Sequence, residues 1–154
     1  MKTLQAGDKA PQFSLQNQND ETVSLADFAG RKVLVYFYPK AMTPGCTVQA
    51  QGLRDVNEEL TAKNVVVLGI SPDAVKRLPK FIEKENLNFT LLSDEDHAVA
   101  DVFGVWGPKK FMGKEYDGIH RQTFLVDENG VIEHVFNKFK TKEHHTVVLD
   151  YLNS

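Results

Sequence analysis

Alternating stretches and longer apolar runs divide the first half of the chain into predicted strands. Residues 13–15 and 23–25 alternate apolar with polar side chains around a polar turn at 17–20, which predicts a short hairpin. Residues 33–38 and 65–70 are continuous runs rich in β-branched and aromatic side chains. Such runs are typical of strands that are buried on both faces of a sheet. We therefore predict an N-terminal hairpin followed by two central strands.

Helical patterns separate these strands, and further strands follow them. Apolar residues recur at helical spacing between residues 44 and 63. The other predicted elements are helices from 71–72 onward, at 93–104 and at 142–152, a strand at 89–92, and a hairpin of 120–126 with 131–139. This order predicts an α/β protein with a mixed central sheet, helices on both faces and an N-terminal β-hairpin. A thioredoxin-like fold fits it, as one domain over residues 1–154.

Composition narrows the classes of protein that the chain can be. With 154 residues, of which 42% are hydrophobic, it is long enough for one domain with a sizeable core. A formal net charge of −3 is untypical of proteins that bind nucleic acid. No apolar run approaches the about 20 residues that a membrane span requires, and the first residues lack the apolar segment of a signal peptide. We therefore expect a soluble protein with neither nucleic acid nor a membrane as a partner.

The chain has one cysteine, Cys46, and hence no internal disulfide. A lone thiol is typical of the reducing cytoplasm, where we expect the protein to act. Most lone cysteines are small buried apolar side chains rather than functional groups. The residues around Cys46 decide between these two interpretations.

The residues that follow the strand at 33–38 predict a helix that begins with a reactive cysteine. Thr43 is a preferred N-cap residue, and Pro44 after it is favoured at the first helical position. Cys46 then lies in the first turn, among backbone N–H groups that have no partner within the helix. These donors and the helix dipole stabilise a thiolate, the nucleophilic form of cysteine. Gly45 lets a small ligand approach the backbone, so we expect Gly45 and Pro44 to contact a substrate.

The segment around this cysteine resembles the peroxiredoxin family. The family pattern is a proline, three residues, a threonine, two residues and a cysteine, and it is matched by PKAMTPGC. The likeness covers nearly the whole chain and is to the bacterioferritin comigratory protein, or Q-type, branch. The strings that carry it are AGDKAPQFSL, VLVYFYPKAMTPGCTVQA, LGIS, NFTLLSDEDH, FGVWG, FMGK, DGIHRQTFLVD and IEHVF.

The resemblance implies catalytic roles for four residues. In the family, the cysteine that matches Cys46 is the peroxidatic nucleophile, and the threonine that matches Thr43 hydrogen-bonds the thiolate and the incoming peroxide. Pro39 matches the proline that shields the site from water, and Arg121 matches the active-site arginine. The implied activity is the reduction of hydrogen peroxide and organic hydroperoxides through a cysteine sulfenic acid. Thr43 and Arg121 would stabilise the negative charge that moves from sulfur to the leaving oxygen.

The sequence departs from many members of this branch because it has no second, resolving cysteine. Gln51 stands at one position where such a cysteine occurs, and Ala100 is the candidate for the other. We therefore expect an outside thiol to reduce the sulfenic acid of Cys46, either thioredoxin or glutathione with glutaredoxin. The resemblance implies a monomer and calls for no metal, haem or flavin cofactor.

Two other functions remain open at this point. A single, stoichiometric oxidation of Cys46 would make the chain a redox sensor or a chaperone-like protein rather than an enzyme. A cysteine hydrolase would need a histidine within about 3 Å of the sulfur as a base. No motif places any of three candidates there: His97, His120 and His134. Residues 105–119 are predicted to be a loop that either covers the site or packs on the core.

Overall fold

The computed structural model describes the whole chain, residues 1–154. A seven-stranded sheet forms its centre, and a two-stranded hairpin stands apart from that sheet. The strands are β1 (Ser14–Asn17), β2 (Thr22–Ser24), β3 (Lys32–Phe37), β4 (Val65–Ser71), β5 (Thr90–Ser93), β6 (Trp106–Phe111), β7 (Lys114–Ile119), β8 (Thr123–Val126) and β9 (Ile132–Phe136). The helices are α1 (Pro44–Ala62), α2 (Leu78–Glu85), α3 (Ala98–Phe103) and α4 (His144–Leu152). Short 3-10 helices occur at Leu25–Phe28, Val75–Arg77 and Thr141–Glu143.

The seven-stranded sheet is mixed, in the order β2-β1-β5-β4-β3-β8-β9. Its three central strands, β3, β4 and β5, run parallel to one another. The flanking strands pair antiparallel, with β1–β2 on one side and β8–β9 on the other. The mixed sheet and the N-terminal hairpin confirm the architecture predicted from the hydrophobic pattern.

The central strand β3 is buried on both faces. Leu34 and Tyr36 belong to the apolar cluster beneath α1, α2 and α4, whereas Val33 and Val35 belong to the cluster beneath α3. Each large apolar side chain that is fully buried contributes about 1.5–3 kcal/mol to folding. Because both faces need apolar residues, the strand has a continuous apolar run instead of an alternating one.

The sequence predicted that the helix α3 begins at Ser93, but in the structure it begins at Ala98. The cause is the side chain of Asp94, whose carboxylate accepts hydrogen bonds from the backbone N–H of Val99 (3.1 Å) and of Ala100 (2.8 Å). Asp94 therefore caps the helix from the preceding turn, and residues 95–97 lie between this cap and the first helical residue. The acidic segment does mark a helix N-terminus, but one displaced along the chain.

The predicted loop at 105–119 is instead the hairpin β6–β7. Its strands are in register from the pair of Trp106 with Ile119 to the pair of Phe111 with Lys114. Most of its residues are exposed on both faces, so the sequence has no apolar alternation that would mark the two strands.

The pairing of β3 with β8 positions the candidate site. The two strands are antiparallel, and Tyr36 near the end of β3 pairs with Thr123 at the start of β8. The backbone N–H of Phe37 donates to the carbonyl oxygen of Gln122 at 3.1 Å. Residues just before β8 therefore lie beside residues just after β3, which brings Arg121 to the start of α1.

Candidate active site

The helix α1 begins as the sequence predicts. Thr43 is the N-cap residue with an extended backbone (φ −85°, ψ 156°), and Pro44 is the first helical residue. Met42 before it has a left-handed backbone (φ 66°), which turns the chain from β3 into the helix. Cys46 lies in the first turn and is only 1% exposed. Its sulfur is therefore close to the unpaired N–H groups of the helix and largely shielded from water.

A carboxylate braces the segment between β3 and α1. Asp73 Oδ2 accepts hydrogen bonds from the backbone N–H of Ala41 and from the hydroxyl of Ser71, both at 2.8 Å. Arg77 Nε donates to Asp73 Oδ1 at 3.1 Å, and Arg77 Nη2 donates to the carbonyl oxygen of Ala41 at 3.3 Å. Because the residues after β4 make these bonds, α2 begins only at Leu78, later than the sequence predicted.

Arg121 is hydrogen-bonded to the cysteine sulfur. Its Nη2 donates to Cys46 Sγ at 3.2 Å, and its Nη1 donates to Gln49 Oε1 at 2.9 Å. Gln49 is fully buried and lies three residues after Cys46, on the same face of α1. Two donors of one planar guanidinium are thus held by a single helix, which orients the positive charge toward the sulfur.

Gln49 and Asp73 were missed by sequence reasoning. The available signal for Gln49 was its spacing of three residues from Cys46, which places both on one helix face. No comparable signal existed for Asp73, because its partner Ala41 is far away in the sequence and is bound through its backbone.

Gly45 provides the space that the guanidinium occupies. A Cβ atom at this position would lie 3.0 Å from Arg121 Nη2 and 3.8 Å from Thr141 Cγ2. The missing side chain therefore lets Arg121 approach the first turn of α1. Pro44 is exposed at the start of the helix, so its contact with a substrate stays a prediction.

The hydroxyl of Thr43 donates its proton to the backbone and not to the cysteine sulfur, which differs from the bond that the resemblance implied. Thr43 Oγ1 donates to the carbonyl oxygen of Lys40 at 2.8 Å. A hydroxyl has one proton and two lone pairs, so this oxygen is left as an acceptor for a ligand that carries a proton. Pro39, half-buried at the end of β3, precedes this turn directly.

Two tyrosines and one histidine near the site are held neutral by burial. Burial raises the pKa of the Tyr36 and Tyr38 phenols, and both side chains are nearly inaccessible to water. Burial also lowers the pKa of His144 to about 3, and the charges of His145 and Arg121 act in the same direction. The guanidinium of Arg121 is consequently the positive charge that directly contacts the thiol.

The three histidines that were candidates for a catalytic base have other partners. The sulfur of Cys46 is bonded to a guanidinium and not to an imidazole. His97 Nδ1 is 2.9 Å from Asp101 Oδ2, His120 Nε2 is 3.0 Å from the carbonyl oxygen of Pro108, and the His134 ring stacks on Tyr151 at 4.3 Å. This arrangement argues against a cysteine hydrolase.

Comparison with known proteins identifies the family of this site. The model of the AhpC/TSA family matches residues 6–135, which is most of the chain. The chain belongs to this family, and it is a peroxiredoxin. The likeness to peroxiredoxins predicted from the sequence is thereby confirmed.

Relatives of this peroxiredoxin resemble it over most or nearly all of their length. The chain is 65% identical over 152 residues to peroxiredoxin Bcp of Escherichia coli, covering 99% of this chain and 97% of the relative. It is 63% identical over 154 residues to the putative peroxiredoxin bcp of Haemophilus influenzae, covering 100% and 99%. A structure of Xanthomonas campestris peroxiredoxin Q superposes with a TM-score of 0.86 at 33% identity, covering 92% of this chain and 89% of that one. The predicted thioredoxin-like fold is therefore confirmed.

Neither position considered for a resolving cysteine carries a thiol in this peroxiredoxin. Gln51 Nε2 donates instead to the buried carboxylate of Glu85 at 2.8 Å, which ties α1 to α2. Ala100 is fully buried in the apolar cluster on the face of the sheet opposite to Cys46. A second thiol from within the chain is absent, because Cys46 is its one cysteine.

Proposed function

We propose that this peroxidase reduces hydrogen peroxide and organic hydroperoxides in a one-cysteine cycle, with Cys46 as the nucleophile. The observation that carries the proposal is the 3.2 Å hydrogen bond from Arg121 to the sulfur at the first turn of α1. A helix N-terminus and a fixed guanidinium are both placed to stabilise negative charge at the sulfur during the reaction. The surrounding tyrosines and His144, held neutral by burial, add no competing charge.

In the first step, the thiolate of Cys46 attacks the terminal hydroxyl oxygen of the hydroperoxide. A sulfur–oxygen bond forms, the oxygen–oxygen bond breaks, and its electron pair leaves on the distal oxygen, which takes a proton from solvent. The attacked oxygen keeps its proton, for which Thr43 Oγ1 is a suitable acceptor, since its own proton is engaged by Lys40. Arg121 stabilises the negative charge as it moves from sulfur to the leaving oxygen. Pro39 helps to exclude water.

In the second step, an outside thiol reduces the sulfenic acid. Its sulfur displaces water from Cys46 to give a mixed disulfide, and a second thiol then releases the Cys46 thiolate. The single cysteine of the chain supports this route. We propose thioredoxin, or glutathione with glutaredoxin, as the reductant, and the cytoplasm as the compartment in which the monomer acts.

The test is peroxide consumption by the wild type and by Cys46→Ser. Without a reductant, the wild type should consume one equivalent of hydrogen peroxide and gain the mass of one oxygen atom, and the serine variant should do neither. With thioredoxin and its reductase, or with glutathione and glutaredoxin, the wild type should then turn over.

Each alternative has its own outcome in this experiment. Consumption that stops at one equivalent with both reductants would indicate a sensor instead of an enzyme. Full peroxidase activity in Cys46→Ser would contradict the assignment of the nucleophile.

A further inference from the structure

The hairpin β6–β7 presents two different faces. Side chains that are paired across an antiparallel register share a face, and so do residues two apart on one strand. Phe111 pairs with Lys114, and Lys109 pairs with Tyr116. These four residues, which we call the aromatic–lysine face, therefore lie on the same side of the hairpin.

The apolar groups of this hairpin are unusually exposed. Phe111 is 66% exposed and Tyr116 is 48% exposed, both on the aromatic–lysine face. Met112 lies at the turn between the strands, where its backbone is left-handed (φ 53°), and it is 87% exposed. These side chains are clustered at one tip instead of scattered singly, and such clusters mark interaction sites.

The charges of the hairpin are separated between its two faces. The aromatic–lysine face has no carboxylate, although the whole chain has a net charge of −3. Of its two lysines, Lys109 is half-buried and bonded to Ile119, so the exposed Lys114 is the one free to contact a partner. Glu115 is on the opposite face, where its carboxylate is 3.9 Å from the ammonium of Lys110. Exposed aromatic rings beside lysines are typical of surfaces that enter the headgroup region of a bilayer, and lysines add attraction to anionic lipids.

This face adjoins the candidate active site. Lys109 Nζ donates to the carbonyl oxygen of Ile119 at 2.8 Å, two residues before Arg121. Burial lowers the pKa of Lys109, and the charge of Arg121 lowers it further, so the two cations are near each other. A surface that covered the aromatic–lysine face would therefore lie near Arg121, which is hydrogen-bonded to Cys46 Sγ.

We propose that the aromatic–lysine face and the Met112 tip dock on the surface of a bilayer that contains anionic lipids. This departs from the sequence-based expectation of no membrane partner, which rested on the lack of an apolar run long enough to span a bilayer. No helix of the structure meets the length and hydropathy needed to cross a membrane. Docking through an exposed hairpin needs no such helix, because only a few side chains enter the interface.

The test is co-sedimentation of the full chain with vesicles of phosphatidylcholine alone or of phosphatidylcholine and phosphatidylglycerol in equal parts. We expect binding to the mixed vesicles, weaker binding to the neutral ones, and loss at about 1 M salt, where charges are screened within about 3 Å. Lys114→Gln should weaken binding about fivefold, and Phe111→Ser should weaken it as well. The measurement requires no peroxidase activity, so its failure is distinct from failure of the proposed function.

Two matched variants make the test specific to one face. Lys110→Gln removes the same charge from the opposite face, and Val102→Ser removes an apolar side chain that is 52% exposed on α3. Both should bind like the wild type, with circular dichroism to confirm folding. Equal loss in Lys110→Gln and Lys114→Gln, or no preference for phosphatidylglycerol, would overturn the proposal. The proposal would also be overturned if Phe111→Ser and Lys114→Gln bound vesicles like the wild type but had a raised KM for a protein reductant. That result would assign the face to the reductant.

Discussion

Two polar pairs, one half-buried and one buried, lie side by side in this peroxiredoxin and behave in opposite ways. Arg121 lies just before β8 and Thr123 is its first residue, and their side chains reach α1 and α4, which pack on the same face of the sheet. Arg121 donates to Cys46 Sγ at 3.2 Å, whereas Thr123 Oγ1 is 2.8 Å from His144 Nε2. Arg121 places a positive charge against the sulfur, whereas the imidazole of His144 is kept neutral by burial.

The difference teaches what a buried charge requires. A charge that loses water is stable only where an opposite charge and hydrogen-bond donors replace that water. A thiolate at Cys46 has a guanidinium and the N-terminus of α1, whereas His144 has a hydroxyl and the rings of Tyr36 and Phe139, centred 5.9 and 4.5 Å away. His144 consequently stays neutral, with a pKa lowered to about 3.

Arg121→Gln should break the charged pair with the largest effect. The variant keeps a hydrogen-bond donor but loses the positive charge, so the rate constant for oxidation of Cys46 by hydrogen peroxide should fall about 10²–10³-fold. Stopped-flow measurement of thiol oxidation checks this. Arg31→Gln is the control, because Arg31 Nε donates to Asn64 Oδ1 and not to the sulfur. This variant should leave the rate unchanged. An unchanged rate in Arg121→Gln would show that the guanidinium does not assist the reaction.

His144→Gln should sharpen the neutral side of the comparison. The pKa of this histidine is about 3 in the folded state and 6.5 ordinarily, so the unfolded chain binds more protons between these values. The wild type should therefore lose stability as the pH falls below 6.5, by about 2 kcal/mol on reaching about pH 5. Urea unfolding over this range should show a shallower loss in the variant. Parallel stability curves for the two proteins would contradict a neutral buried imidazole.

Gly45→Ala should disturb the charged pair by a smaller amount. The new methyl group would lie 3.0 Å from Arg121 Nη2, and a small displacement of the guanidinium should lower the oxidation rate about tenfold. Gly52→Ala is the matched control on the same helix, because its methyl group would lie 2.3 Å from His145 Nδ1. That variant should lose about 1–3 kcal/mol of stability and keep its rate. Equal rates in the two alanine variants would contradict a role for the space at Gly45.

The beginning of α1 could be predicted from the sequence because its signals are local. Thr43 and Pro44 are strong start signals in adjacent positions, and they place Cys46 in the first turn without reference to the rest of the chain. The position of Arg121 beside the sulfur rested on resemblance, because it depends on the pairing of β8 with β3.

Two features were not predicted from the sequence: the burial of Gln49, which has a distant partner, and the hairpin β6–β7, whose strands are mostly exposed. A glutamine in an amphipathic helix is normally assigned to the exposed face, and Gln49 is buried because Arg121, 72 residues later, binds it. The hairpin β6–β7 has no buried face along most of its length, so the alternation that reveals other strands is missing there.

The separation of 75 residues between Cys46 and Arg121 has a consequence during synthesis. At about 5–20 residues per second, roughly 4–15 s pass on the ribosome between the emergence of the thiol and that of its guanidinium. The nascent cysteine lacks its contact with Arg121 for that interval. We therefore expect reactivity toward oxidants to be acquired only by a chain that has completed its central sheet.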